Sequence, residues 1–128
     1  MAIGELVKSA DFKSEKHVPV LVLPSKIVAG EAFEVEVSVG KEIAHPNTTE
    51  HFINWISVYF KPAEGNLINV ARFEYTAHAE SAAGANQGPA LAEPCSKFVL
   101  KLKTPGKLIA TSYCNIHGLW ESEAEVKF

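Results

Sequence analysis

Thiols and thioethers are scarce in this chain: 128 residues hold two cysteines, Cys95 and Cys114, and one methionine, Met1. A domain of this length can bury a full core without covalent staples. Nothing at the start resembles a secretion signal, because the apolar run in Met1–Lys8 is short and carries Glu5. Reduced cysteines and a cytoplasmic location are therefore expected. With methionine confined to Met1, no interior thioether stands ready as a metal ligand. No apolar stretch approaches the ~20 residues of a membrane-spanning helix. Positive charge is also sparse, with 12 Lys and Arg against 15 Asp and Glu and a net charge of −3. No basic run exceeds Lys101-Leu102-Lys103, which makes nucleic acid and anionic membranes poor partners.

What is present is an ordinary globular composition, 47% hydrophobic and 21% charged, read as one domain over residues 1–128. Ile3, Leu6 and Val7 are spaced for one face of a short helical turn within residues 2–10. Thereafter the pattern is β. Pro19 and Pro24 bracket an edge-strand run from His17. Phe33, Val35, Val37 and Val39 alternate with Glu34, Glu36 and Ser38, as a half-buried strand requires. Residues 51–61 and 67–76 form a hairpin about Pro62–Asn66, and 97–103, 108–113 and 120–128 are further strands. Residues 77–94 are rich in Ala, Gly, Asn and Pro and have no period, so they read as a functional or interface arm. About seven short strands with almost no helix predict an all-β, immunoglobulin-like antiparallel β-sandwich.

The chemistry gathers in three places. In Cys114-Asn115-Ile116-His117-Gly118 a thiol and an imidazole stand three residues apart. A turn, with Gly118 supplying backbone freedom, would let both face one ion. Such donors suit iron, copper or zinc. His45 and His51 enclose Pro46-Asn47-Thr48-Thr49-Glu50. Extended chain would hold these imidazoles about 20 Å apart. A compact turn would join them, and Asn47 with Glu50 three residues later has the pattern of a capped helical turn. The third place is Glu15-Lys16-His17-Val18-Pro19. His78 and Cys95 fit none of the three, and are expected to be a structural histidine and a small buried hydrophobe. Trp120 and Tyr113 are expected in the core.

Glu15–Pro19, His45–His51 and Ser112–Glu121, in that order, resemble superoxide reductases of the single-iron, neelaredoxin type. The resemblance covers essentially the whole chain, and it lacks the four-cysteine domain of the larger desulfoferrodoxins. It implies one Fe(2+)/Fe(3+) ion per subunit, with His17, His45, His51 and His117 as equatorial ligands and Cys114 as the axial thiolate. His117 would bind through Nδ1 and the others through Nε2. Lys16 would attract superoxide and Glu15 would close the sixth position in the ferric state. Backbone N–H groups near Asn115 and Ile116 would tune the sulfur. The resemblance further implies a rubredoxin-like electron donor and a homotetramer.

Two other readings compete. A cupredoxin, an electron-carrying copper β-sandwich, also places a Cys shortly before a His, but generally uses a Met just beyond. Here the residues after His117 are Gly118-Leu119-Trp120-Glu121-Ser122. A purely structural β-sandwich module leaves the three motifs unexplained.

Overall fold

The computed structural model describes residues 1–128. Seven strands carry the fold: β1 (Val20–Val22), β2 (Phe33–Ser38), β3 (Ile53–Pro62), β4 (Ile68–Glu74), β5 (Cys95–Leu100), β6 (Gly106–Cys114) and β7 (Gly118–Val126). They form two antiparallel sheets, one in the order β1-β2-β5 and the other in the order β4-β3-β6-β7. No helix is long and apolar enough to cross a membrane.

The alternation in the sequence sets the packing. Phe33, Val35 and Val37 of β2 turn inward from the smaller sheet. Ile56, Val58 and Phe60 of β3 and Leu108 and Ala110 of β6 meet them from the larger one. Apart from Ala110, each of these side chains contributes about 1.5–3 kcal/mol by leaving water. Together they make the sandwich a rigid frame for its loops.

Four details depart from the sequence reading. The amphipathic turn expected in residues 2–10 is one 3₁₀ turn at Ile3–Glu5, with Ile3 and Leu6 in solvent. Its short length leaves no face to bury. Instead Lys8 extends the β7 edge, donating its N–H to Leu119 O and accepting that of Glu121. The first strand is narrower than expected. His17, Val18 and Pro19 precede it as buried non-strand backbone, held by Ser112 Oγ on His17 O (3.0 Å) and Ser122 Oγ on Pro19 O (2.6 Å). Cys95 is exposed, not buried. Its pairing with Ser38 puts it on the outer face of the sheet, with its thiol toward Glu36. Finally, the arm 77–94 is folded back on itself. Ala79 N–H donates to Ala90 O, and Ala92 N–H to Ala77 O. Gly88 is pressed so close to Ala79 and Glu80 that a Cβ there would lie 2.3 Å from Glu80 O.

Candidate metal centre

The inward row of β6 runs Leu108, Ala110, Ser112, Cys114, all fully buried. Its period of two therefore delivers the Cys114 thiol to the interior at the strand's end. The chain then reverses in three residues, with Cys114 paired to Gly118. Gly118 has φ +84°, the left-handed conformation that ends a three-residue hairpin loop of this kind. The reversal sets His117 beside the thiol, with its backbone N–H 3.4 Å from Cys114 Sγ and its Nδ1 at 3.7 Å. The N–H on sulfur is thus that of His117, one position beyond the expected pair. Asn115 N–H is instead given to Phe52 O.

The capped helical turn expected between His45 and His51 does not form. The segment closes as a tight loop in which Thr48 N–H donates to His51 O at 2.9 Å. The His51 N–H returns to Thr48 Oγ1 at 3.0 Å. Asn47 and Glu50, the proposed caps, are engaged elsewhere, by Ala92 O and by Asn86 Nδ2. The loop still does what chelation needs, because the His45 and His51 ring centroids lie 4.8 Å apart. Asn115 ties this loop to the Cys114 hairpin, donating through Nδ2 to Glu50 O and accepting Phe52 N–H at Oδ1. The sequence reading missed this side-chain role; an Asn between two candidate ligands was its only signal.

His17 reaches the same point from the start of the chain, buried against the Trp120 ring. Trp120 is itself buried and donates Nε1–H to His117 O, in keeping with the expected core role. Tyr113 is only half-buried and stacks on Trp55. Donor atoms of His17, His45, His51 and Cys114 lie within 4.8 Å of one another. His117 Nδ1 joins them, 3.1 Å from His17 Nε2 and 3.2 Å from His51 Nε2. All five candidate ligands are therefore brought together.

The hydrogen bonds fix which nitrogens are bare. His17 Nδ1 lies 2.6 Å from the Glu15 carboxylate and His45 Nδ1 2.6 Å from Pro46 O. Both partners are acceptors, so both Nδ1 atoms carry the proton and both Nε2 atoms present lone pairs. His45 Nε2 is buried with no hydrogen-bond partner at all. Burial holds the His45 pKa down to about 4 and lowers those of His17 and His51. Converging lone pairs, one of them orphaned, beside a buried thiol are costly unless a cation accepts them. Imidazole nitrogens with one thiolate suit a first-row transition metal, so these residues fit such an ion.

Lys16 is half-buried next to His17 and makes no salt bridge. After burial, its charge is among the causes that depress His17, His45 and His51. Glu15 rests on the outer nitrogen of His17 and also accepts the His17 backbone N–H at 3.0 Å. Partial burial pushes the Glu15 carboxyl up, but the His17 hydrogen bonds outweigh it and keep the pKa below its usual range.

Comparison with known proteins agrees with this centre. The desulfoferrodoxin family profile matches residues 9–123. The chain belongs to the desulfoferrodoxin family. It is 52% identical to the neelaredoxin of Megalodesulfovibrio gigas, over 98% of each chain. It is 52% identical to the superoxide reductase of Pyrococcus furiosus, over 98% of this chain and 99% of that one. The solved structure of the reduced superoxide reductase (neelaredoxin) of Archaeoglobus fulgidus superposes with a TM-score of 0.89. That match has 47% identity and covers 96% of this chain and 99% of the other. The desulfoferrodoxin fold thus accounts for the β-sandwich, and the full-length match sets the copper-carrier and purely structural readings aside.

Proposed function

We propose that this chain is a superoxide reductase, which converts superoxide to hydrogen peroxide with one external electron and two protons. His17, His45, His51, His117 and Cys114 would hold one iron ion per subunit. When bound, iron supplies the one-electron Fe(II)/Fe(III) couple that the reduction needs. The observation that carries the reading is the convergence of four imidazoles on one buried thiol in a chain that matches a superoxide reductase over 98% of its residues.

The chain's own residues do the rest. The Lys16 ammonium raises the local concentration of a small anion and speeds its encounter. It, or a water that it would hold, would deliver a proton to reduced oxygen. Glu15 keeps the His17 proton on Nδ1 and leaves Nε2 bare. The family resemblance also implies that Glu15 would bind the iron through its carboxylate after oxidation. With iron bound, the His117 N–H on Cys114 Sγ would draw charge from the sulfur and temper its donation to the metal. Trp120 covers one face of His17. A rubredoxin-like protein would return the electron, and a cytoplasmic homotetramer is the expected state.

Metal analysis with a visible spectrum tests the assignment. Iron, with a charge-transfer band that appears only on oxidation, is the expected result. Copper with an intense blue band, or a protein that takes up no metal, would overturn it.

A further inference from the structure

The loop that carries His45 and His51 has little to hold it from within. Thr48 and His51 close it, and Asn115 Nδ2 reaches Glu50 O from the Cys114 hairpin at 2.8 Å. Beyond the loop, the remaining hydrogen bonds of residues 46–50 go to the arm 77–94. Asn47 Nδ2 donates to Ala92 O at 3.0 Å, and Thr49 Oγ1 to His78 O at 2.8 Å. Asn86 accepts Thr49 N–H at Oδ1 and returns its own backbone N–H to Thr49 Oγ1, at 2.8 and 3.0 Å. Its Nδ2 donates to both Glu50 carboxylate oxygens, at 3.1 and 2.9 Å. Thr49 and Glu50 lie between the two histidines, so the bonds that fix them also fix the spacing of the imidazoles.

The arm is braced for this task. His78 and Leu91 form an antiparallel bridge between its limbs. Ala79 N–H on Ala90 O (2.8 Å) and Ala92 N–H on Ala77 O (2.7 Å) tie the limbs together. Gly88 N–H donates to Ala79 O at 2.9 Å, an approach that leaves no room for a side chain on Gly88. At the foot of the arm, His78 is 2% exposed and stacks on Phe52 with ring centroids 3.8 Å apart. The one histidine outside the ligand motifs thus seats the arm on the residue next to His51, in keeping with its expected structural role. Toward the tip, Asn86 takes φ +62°, a left-handed conformation that Asn adopts more readily than most residues. It meets the loop with backbone and side chain together.

We propose that Asn86 is a positioning residue, which latches the arm 77–94 onto Thr49 and Glu50 and so holds the His45 and His51 imidazoles converged for the metal. The proposal rests on the five-residue metal centre proposed above. Asn86 touches neither metal nor substrate. The latch makes ordering of the loop part of folding rather than of metal binding, and so preorganises the site. Latch and metal must then favour each other by the same factor.

Chelator competition with zinc on the full chain tests the latch. N86G removes the side chain, tolerates the φ of +62° and leaves all five ligands unaltered. Zinc affinity should fall by about tenfold, the lower end of the loss that follows removal of a group orienting metal ligands. N86D/E50Q exchanges donor and acceptor across the same contact at unchanged net charge. The new carboxylate can accept both Thr49 N–H and the new amide, so affinity should return to that of the unmodified chain, which a general loss of stability would not give. An N86G affinity equal to that of the unmodified chain, or an equal loss in both variants, overturns the proposal. If either variant fails to fold, hydrogen exchange in the unmodified chain decides. Zinc should slow exchange of the Asn86 N–H, and a rate indifferent to zinc overturns the latch. An unmodified chain that binds neither zinc nor iron would overturn the metal centre and the latch together. One that binds metal no better than N86G does would overturn the latch alone.

Discussion

Cys114 sits at the end of an inward row that the period of β6 fills with Leu108, Ala110 and Ser112. C114S keeps the volume but removes the soft donor. It should abolish superoxide reduction and the visible band, with the circular dichroism of the sandwich retained. K16A removes the free ammonium beside the site. It should slow the reaction at low salt and flatten its salt dependence, since steering by a single charge is screened over ~10 Å at 0.1 M salt. An unchanged rate at low salt would remove Lys16 from the mechanism. The histidines predict a pH response of the metal-free protein. The unfolded chain takes up imidazole protons near 6.5, whereas burial delays His45 in the folded state to about 4. Between these values the unfolded state binds more protons, so stability falls as pH drops from about 6.5 toward about 4. Thermal melts across that window check this; a constant melting temperature would mean that the folded imidazoles charge freely.

The β6–β7 hairpin and the His45–His51 loop are where local sequence and distant contacts divide the work. Gly118 has φ +84° and open space where a Cβ would go. G118A therefore meets backbone strain rather than collision, about 1–2 kcal/mol. It should lower the melting temperature by several degrees and weaken metal binding, because His117 is carried on that reversal. The turn of this hairpin was legible in the sequence, since a strand period that stops and a glycine just beyond it are local signals. The His45–His51 turn was legible only in outcome. Its convergence is real, yet the expected caps are not used, because Ala92 and Asn86 of a distant arm claim Asn47 and Glu50. The same limit applies to Cys95. Which face of β5 it occupies depends on its register with β2, which local alternation does not reveal.

Across the whole molecule, an apolar sandwich core supports a centre assembled from three separated segments. L108A, which empties a fully buried position in that core, should cost about 2–5 kcal/mol. Because the core residues of β6 lead directly to Cys114, its effect should extend to metal retention in chelator competition. One-electron reduction and dismutation of superoxide differ in their products. Mixing the ferrous protein anaerobically with superoxide, and measuring hydrogen peroxide and dioxygen together, tests the proposed reduction most directly. Reduction predicts one hydrogen peroxide for each superoxide consumed, oxidation of the protein, and no dioxygen. Dioxygen released alongside peroxide, or superoxide left unconsumed, would contradict it.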